Sequence, residues 1–322
     1  MRVLTDTDPL PGEWEASAVS IGAFDGVHLG HRALIGEMRA RAELIGLASV
    51  VLTFDRHPAV VVRRESAPLL LTGTDQKLEL LDSTGIDAVR IVTFDESRAS
   101  QPPEEFVTGV LVEQLRARLV VVGSDFHFGK GRRGNLALLS EMGHSYGFGV
   151  EGVQLMPGGF SSAATGDVVA EPISSTRVRA LVAEGKVEAA AALLGRDHEV
   201  RGTVEPGDGR GGTELGCPTA NLAVADGILL PRNGIYAGWC HMPDGTVAPM
   251  VASIGIRPTY YRQASHPLLE VHILDFEGDL YGERLAVRFH RRLRDEVAFR
   301  STEELSSQIW KDIEDTRRVL GT

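Results

Sequence analysis

Two histidines in a glycine-rich segment are the residues of this sequence best suited to chemistry. His28 and His31 lie three positions apart on either side of Gly30, after a short apolar stretch and before a helical pattern. Positions i and i+3 of a helix share a face, and a helix start offers backbone N–H groups and the positive end of its dipole. The glycine lets a flat base or sugar approach the backbone. The segment predicts a phosphate site, with a loop carrying two incidental histidines as the alternative.

Three further polar clusters lie where predicted strands end or a predicted helix begins. Each has an ordinary alternative: a turn histidine, a solvated basic loop or a simple helix cap. Ligands of parallel α/β sheets bind beyond the carboxyl ends of the strands, so clusters at such ends favour one shared site. The clusters are residues 53–58, which include His57, residues 123–132, which include Asp125, Phe126 and Phe128, and residues 174–179, which include Ser175, Thr176 and Arg177.

The chemistry that these side chains suit is phosphoryl or nucleotidyl transfer. Such reactions need little covalent help from the protein and depend on positioning and charge stabilisation at the phosphorus under attack. His28 and His31 can donate hydrogen bonds to phosphate oxygens, and Arg177 can clamp another phosphate with its planar guanidinium group.

A second set of candidate residues lies in the second half of the chain. Thr219 and Asn221 stand two apart, so both point to one face of an extended strand. Their oxygens suit Mg²⁺, although a polar strand face is the alternative. A preceding glycine-rich segment can wrap its backbone around a phosphate chain. The residues of interest there are Gly207, Gly209, Arg210 and Gly211.

Glu270 is the candidate general base of the second half. It alternates with apolar residues and shares a strand face with His272. A carboxylate in that position can accept the proton of an attacking alcohol. The alternative is a solvent-facing strand residue.

The elements that must position the first set of residues form an alternating series of strands and helices. Apolar strands that alternate with helices predict an α/β domain with a Rossmann-like parallel sheet covered by helices on both faces. Residues 157–172, rich in glycine, serine and alanine, are predicted to be a loop. The predicted strands are 18–21, 49–54, 88–93, 119–122 and 149–155, and the predicted helices are 31–44, 76–81, 103–115 and 136–142.

The second half changes character after two short helices. Short β-type segments then alternate with turns and predict a mostly β domain, a small antiparallel barrel or sandwich, followed by a terminal helix. The predicted helices are 174–184, 187–194 and 302–320, and the predicted strands are 251–254, 268–274 and 284–289.

Length and composition restrict the remaining possibilities. A chain of 322 residues predicts two domains, which we place at 1–186 and 187–322. The net charge of -11 argues against a broad nucleic-acid surface. Two cysteines, Cys217 and Cys240, form no disulfide framework and fit a reducing cytoplasm. No apolar stretch approaches the length of a membrane span. We expect a cytoplasmic monomer or weak homo-oligomer that binds small molecules.

In order and spacing, the four clusters of the first half resemble the adenylyltransferase module of the bacterial bifunctional riboflavin kinase/FAD synthetase family. The resemblance implies that FMN attacks the α-phosphorus of ATP to give FAD and pyrophosphate. It also assigns roles to individual residues. Those bound to ATP phosphates would be Gly22, Phe24, Asp25, His28, Gly30 and His31; those that stabilise the leaving pyrophosphate would be Ser175, Thr176 and Arg177; those near FMN or nucleotide would be His57, Asp125, Phe126 and Phe128.

The second half resembles the riboflavin kinase module of the same family. Its most specific element is the Pro-Thr-Ala-Asn segment at 218–221, and residues 233–236, 257–259, 270–272 and 280–282 agree in order. By this resemblance Thr219 and Asn221 hold Mg²⁺ and ATP, and Glu270 deprotonates the 5′-hydroxyl of riboflavin. Arg294 and Phe299 fall where the family places its flavin-side helix.

The predicted function is therefore the synthesis of FMN from riboflavin and of FAD from FMN, with ATP in both steps. Cys217 stands where the family often has an aromatic residue, and Ser253 where asparagine is common. These departures leave two alternatives: a FAD synthetase with a weak or silent kinase, or a flavin-binding protein without catalysis.

Overall fold

The chain divides into two compact units, Met1–Ser174 and Ser175–Thr322. A computed structural model describes residues 1–154, 172–206, 217–255 and 267–322. The predicted boundary between functional domains, at 186/187, stays a prediction, because compactness does not tell which reaction the residues between 175 and 186 serve. The predicted loop at 157–172 lies outside the described residues except for its last residue.

The first unit is a parallel sheet of six strands in the order β1-β4-β3-β2-β5-β6. The chain builds outward from β2 to β4 and then adds β5 and β6 on the other side of β2, so the sheet has its switch point between β2 and β5. The strands are β1 (Arg2–Leu4), β2 (Ser17–Ile21), β3 (Ala48–Phe54), β4 (Ala88–Val92), β5 (Ala117–Gly123) and β6 (Gly149–Val153).

Helices and apolar side chains cover both faces of this sheet. On one face Val19 and Ile21 of β2 belong to a cluster with apolar residues of α5, and on the other face Ala18 belongs to a cluster with apolar residues of α1. In α1 the buried side chains Leu34, Ile35 and Met38 have the predicted helical spacing. The helices are α1 (Leu29–Leu44), α2 (Ala59–Val62), α3 (Thr74–Asp82), α4 (Glu96–Ser100), α5 (Pro103–Phe106, continued by wider π-type turns over Val107–Gln114) and α6 (Leu136–Tyr146).

The second unit is a closed antiparallel barrel of six strands in the order β10-β11-β8-β7-β12-β9. Two short helices precede it and a long helix follows it, so the predicted fold class is confirmed for both halves of the chain. Its elements are α7 (Ser175–Ala183), α8 (Val187–Leu194), β7 (His198–Glu205), β8 (Ala220–Val224), β9 (Gly234–His241), β10 (Val247–Gly255), β11 (Leu268–Ile273), β12 (Arg284–Arg294) and α9 (Thr302–Leu320). Among the described helices, none has the length and apolar character needed to cross a bilayer.

A buried carboxylate joins two strands of the barrel. Glu199 on β7 is 6% exposed and accepts hydrogen bonds from Arg201 Nε at 2.8 Å and from Arg288 Nε, on β12, at 2.7 Å. Burial alone would raise the pKa of Glu199, but the two arginines outweigh it and hold the pKa below its ordinary value. The ionised form is therefore the one that stabilises the barrel.

We expect Glu199→Gln to lower the free energy of unfolding of the second unit by about 2 kcal/mol at neutral pH, because it removes the negative charge that two arginines share and replaces one acceptor oxygen by an NH2 group. A lowered pKa means that the stabilisation is present above the ordinary pKa of 4.5 and is lost as the pH falls through the lowered value. Urea unfolding followed by near-ultraviolet circular dichroism measures both effects.

The matched control is Glu277→Gln, a change at an exposed glutamate of the same unit, which should stay within about 0.5 kcal/mol of the parent chain. Equal stability of the Glu199 and Glu277 variants at pH 7 would contradict a stabilising role for the Glu199 pair. A difference in the free energy of unfolding between the two variants that does not become smaller as the pH falls would also contradict it.

Candidate active sites

The glycine-rich segment begins where β2 ends, at the switch point of the sheet. Gly22 N–H donates to Leu52 O on β3 at 3.1 Å, which extends the strand pairing by one residue. A Cβ atom at position 22 would lie 3.1 Å from the ring of Phe24, so the glycine lets this ring pack across the backbone. The Phe24 side chain is 2% exposed. It therefore shapes the turn from inside the unit.

The turn that follows has an unusual backbone. Phe24, Gly26 and Val27 have φ angles of 48°, 79° and 37°, all in the left-handed region. A β-branched residue rarely adopts this conformation, so surrounding contacts must impose it. Left-handed non-glycine residues are typical of ligand sites, where the backbone is held in one shape.

Asp25 supplies part of the restraint on this turn. Its carboxylate is 4% exposed and accepts hydrogen bonds from Leu71 N–H at 3.0 Å and Thr72 N–H at 3.2 Å. The hydroxyl of Thr72 also accepts from Gly26 N–H at 3.1 Å. Asp25 thus fastens the turn to the segment before α3.

The two histidines stand side by side at the start of α1. His28 is 2% exposed, and its Nδ1 accepts a hydrogen bond from His31 N–H at 3.2 Å, which caps the helix. The two rings stack with centroids 3.6 Å apart and planes at 16°. Since Nδ1 of His28 accepts, the proton of the neutral ring resides on Nε2, which leaves Nε2–H as a donor. This cap also explains why the helix begins at Leu29 and not at His31.

The other predicted clusters of the first unit lie at the ends of β3 and β5. His57 is half-buried, and its Nδ1 accepts from Ala59 N–H at 3.2 Å. Asp125 is exposed, whereas the rings of Phe126 and Phe128 stack 5.4 Å apart and pack against the core. The parallel sheet therefore brings these residues to the same edge as the histidines.

The predicted pyrophosphate residues open α7. Ser175, Thr176 and Arg177 occupy its first turn, where backbone N–H groups and the helix dipole favour an anion. This helix belongs to the second compact unit. Its place beside the two histidines stays a prediction.

One charged residue of the first site escaped the sequence interpretation. Lys77, on α3, is 9% exposed, and its Nζ donates to Phe54 O at 2.9 Å and Thr53 Oγ1 at 3.3 Å. Burial lowers the pKa of Lys77, and the carboxylates of Asp25 and Asp55 oppose that effect. The sequence held one signal of its burial: Lys77 lies four residues before the apolar Leu81, so both side chains lie on one face of the helix.

The second unit has a cavity of about 490 Å³ between the barrel and α9. It brings together four of the predicted kinase residues, and further polar and apolar side chains complete its wall. The four are Thr219, Glu270, Arg294 and Phe299; the polar residues that sequence reasoning did not assign to it are Ser253, His272, Glu296, Thr302 and Asp312. Gly207, Gly209, Arg210 and Gly211 lie outside the described residues.

Asn221 and Glu270 lie directly opposite each other on β8 and β11. Side chains at opposed positions of neighbouring strands lie on one face, about 5 Å apart at Cβ. The Oδ1 atom of Asn221 is buried and has no hydrogen-bond partner among the described residues. His272 Nδ1–H donates to Pro218 O at 2.8 Å and fixes the chain just before Thr219. A carbonyl oxygen available for coordination stands beside a carboxylate.

These oxygens fit a hard cation such as Mg²⁺. The part of the chain that is described holds no group of three or more His, Cys, Asp or Glu residues arranged for a metal. Mg²⁺ commonly takes only one or two protein ligands and completes its shell with water and substrate phosphates. The buried Asn221 Oδ1 and the Thr219 hydroxyl therefore suffice as the protein's share.

An ion pair holds the far wall of the cavity. Arg294 donates to Asp312 through Nε at 2.9 Å and through a terminal nitrogen at 2.6 Å, and Phe299 lies 5.9 Å from the guanidinium carbon. Asp312 is 4% exposed, so the pair joins β12 to α9. Burial raises the pKa of Glu296, and the nearby Glu270 adds to that effect while Arg294 opposes it.

Paired histidines at the switch point of one unit and a carboxylate in the cavity of the other define a two-domain, nucleotide-dependent transferase. Family models agree: one described as FAD synthetase matches residues 10–161, and one described as riboflavin kinase matches residues 194–320. The chain is 36% identical to the bifunctional riboflavin kinase/FMN adenylyltransferase of Escherichia coli strain K12, with 95% of this chain and 94% of the relative covered.

Other relatives share the same name and nearly the same length. The protein from Buchnera aphidicola subsp. Schizaphis graminum is 35% identical over 95% of this chain and 94% of its own, and that from Bacillus subtilis is 33% identical over 100% and 99%. A crystal structure from Streptococcus pneumoniae, named as a macrolide-efflux protein, has a TM-score of 0.82 at 27% identity and covers 98% of this chain and 99% of its own.

The chain belongs to the bifunctional riboflavin kinase/FMN adenylyltransferase family. The predicted family and both predicted activities, phosphorylation of riboflavin and adenylylation of FMN, are confirmed. ATP, riboflavin and FMN are the substrates that fit this family.

The two properties of His28, a helix cap and a donor, can be separated by substitution. We expect His28→Asn to keep most of the stability of the first unit, because asparagine caps helices well, whereas His28→Ala should lose about 1 kcal/mol. Both variants should depress FAD formation, because neither keeps the ring Nε2–H. Urea unfolding and FAD formation from supplied FMN measure the two effects. An active His28→Asn variant would show that the cap alone matters.

Proposed function

We propose that the two reactions take place at two sites: adenylylation of FMN around His28 and His31 of the first unit, and phosphorylation of riboflavin around Asn221 and Glu270 of the second unit. The observation that carries the proposal is that each unit contains its own polar group suited to one step. Stacked imidazoles can donate to a phosphate, and a carboxylate opposite a bare carbonyl oxygen can accept a proton beside a cation.

In the proposed kinase step, Glu270 accepts the proton of the ribityl 5′-hydroxyl while the oxygen attacks the γ-phosphorus of ATP. The bond from this phosphorus to the bridging oxygen breaks, and ADP leaves. Mg²⁺ held by Thr219 and Asn221 would offset the charge on the ATP phosphates. Phe299 and the apolar cavity wall offer the surface for the flavin ring. Arg294 keeps that wall in place through Asp312.

In the proposed adenylylation step, a phosphate oxygen of FMN attacks the α-phosphorus of ATP. The bond to the β-phosphate oxygen breaks, and pyrophosphate leaves with the electron pair. His28 Nε2–H and His31 donate to the phosphate oxygens as charge develops, aided by the start of α1. Gly22 is proposed to act through the turn, because it lets the ring of Phe24 pack across the backbone, and Gly30 is proposed to let the nucleotide approach the start of α1. Ser175, Thr176 and Arg177 are proposed to stabilise the departing pyrophosphate.

The flavin of the adenylylation step is proposed to lie near the end of β5. The stacked rings of Phe126 and Phe128 present a flat apolar face there, and the exposed carboxylate of Asp125 lies beside them. His57, at the end of β3, stands at the same edge of the sheet. We infer that FMN leaves the kinase site and rebinds here. A cytoplasmic location is also proposed, since both cysteines are free thiols. We propose in addition that the protein is a monomer or a weak homo-oligomer.

Two complementary variants test whether the sites are separate. His31→Ala should lower FAD formation about 10²–10³-fold and spare FMN formation, because it removes a preorganised donor. Glu270→Gln should abolish most FMN formation and spare FAD formation from supplied FMN. Neither variant alone should convert riboflavin to FAD, whereas an equimolar mixture should, after a lag in which FMN accumulates. Chromatography of the flavins measures all of these products.

The parent chain, incubated with riboflavin, ATP and Mg²⁺, is the reference and decides between the remaining alternatives. No product from riboflavin, together with FAD formation when FMN is supplied, would indicate a silent kinase, and flavin binding without turnover would indicate a non-catalytic protein. A mixture of the two variants that forms no FAD would contradict release and rebinding of FMN.

Asn221 provides a direct test of the proposed magnesium site. Asn221→Leu removes an oxygen that has no protein partner in the described residues, so it should fold normally. We expect FMN formation to fall about 100-fold and the Mg²⁺ concentration for half-maximal rate to rise, because a cation ligand is lost. FAD formation from FMN should not change. The matched control is Thr203→Val at an exposed position of β7; an unaltered Mg²⁺ dependence of the Asn221 variant would remove this residue from the site.

A further inference from the structure

The turn that carries the two histidines is restrained from two sides by one segment, residues 71–77. On one side, Thr72 contacts both Asp25 and Gly26, as described above. On the other side, the hydroxyl of Thr53 donates to Ala23 O at 3.1 Å and accepts from Lys77 Nζ at 3.3 Å. Between these anchors the backbone takes its left-handed conformation.

The hydrogen bond from Lys77 to Thr53 is shielded from water and is one of two that the ammonium group makes. Thr53 is fully buried, so no water competes for its hydroxyl. Lys77 Nζ also donates to Phe54 O at 2.9 Å, and it therefore holds two consecutive residues at the end of β3. The side chain reaches them from α3, whose start is continuous with Thr72. The charge also lies near the buried carboxylate of Asp25.

The choice of lysine at this position is itself informative. Lysine and arginine together number 33, and the lysines are confined to positions 77, 130, 186 and 311. The other three are exposed, whereas Lys77 is 9% exposed. Most basic residues of this chain are arginines. A lysine at position 77 is suited to its surroundings because a compact ammonium group fits two acceptors on adjacent residues, whereas a planar guanidinium group would not.

We propose that Lys77 is a positioning residue for FAD formation: through Thr53 its ammonium holds the turn that aims His28 and His31 at the phosphates. This inference rests on the proposed role of the two histidines. A turn released at Ala23 would let the helix start shift, and a displacement of about 1 Å at a reacting centre can cost about 10²-fold in rate.

Lys77→Met keeps the side-chain stem and removes the ammonium. We expect kcat for FAD formation from supplied FMN to fall about 10- to 100-fold, with a change in KM for ATP of less than about threefold, because alignment is lost rather than binding. Riboflavin phosphorylation by the same chain should not change. Lys186→Met, at an exposed lysine paired only with the exposed Glu184 among the described residues, is the matched control and should leave both activities unchanged.

Amide hydrogen exchange separates positioning from general stabilisation. In the Lys77→Met chain, the amides of residues 23–31 should exchange faster while those of β2 and β4 keep their protection. Thr53→Val removes the relay hydroxyl and should resemble Lys77→Met. The double variant should then be within about threefold of Lys77→Met alone, because both changes break the same connection.

The outcomes are decisive in either direction. An FAD-forming kcat within twofold of the parent, faster exchange across the whole sheet, or fully multiplicative effects of the two changes would each overturn the positioning role. His31→Ala is run in parallel. If it keeps normal FAD formation, the proposed function of the histidines fails; if it loses activity while Lys77→Met does not, only the inference about Lys77 fails.

Discussion

The hydrogen bond from His31 N–H to His28 Nδ1 is the interaction on which the first site depends. It ends the turn, starts α1 and fixes the position of the proton on His28 in a single contact. Because Nδ1 of His28 accepts this hydrogen bond, the neutral ring carries its proton on Nε2. The stacked ring of His31 then stands in a defined place beside it. In the proposed function the helix cap and the phosphate donor are the same side chain, so only a substitution that keeps the cap, such as His28→Asn, separates the fold from the chemistry.

The sequence was sufficient for the fold class because the relevant signals are local and repeated. Apolar runs alternating with helical patterns predicted the parallel sheet, and the barrel followed from short strands separated by turns. The sequence also predicted that His28 and His31 lie at a helix start. It could not predict that Asp25 and Lys77 are buried, because their partners at Leu71, Thr72 and Thr53 depend on tertiary packing. From sequence alone a charged residue is predicted to be exposed, because only the folded structure shows the groups that enclose it.

In the second site, too, the sequence predicts which residues share a strand face but not which residues lie opposite each other. Alternation placed Glu270 and His272 on one strand face, and spacing placed Thr219 and Asn221 on another. Only the register of the barrel shows that Asn221 lies opposite Glu270, and register is set by long-range pairing that no local pattern encodes. The Arg294–Asp312 pair is hidden from sequence for the same reason, since its partners are on β12 and α9.

The two proposed sites face opposite electrostatic problems. An FMN phosphate is already ionised and needs no base, so its site is rich in donors: imidazole N–H, backbone N–H groups and a helix dipole. A riboflavin hydroxyl is neutral and must lose a proton, so its site carries carboxylates. A carboxylate among the phosphate donors would repel the triphosphate, which is consistent with the engagement of Asp25 by backbone N–H groups. In the barrel, burial raises the pKa of Glu296, and the neighbouring Glu270 adds to that effect.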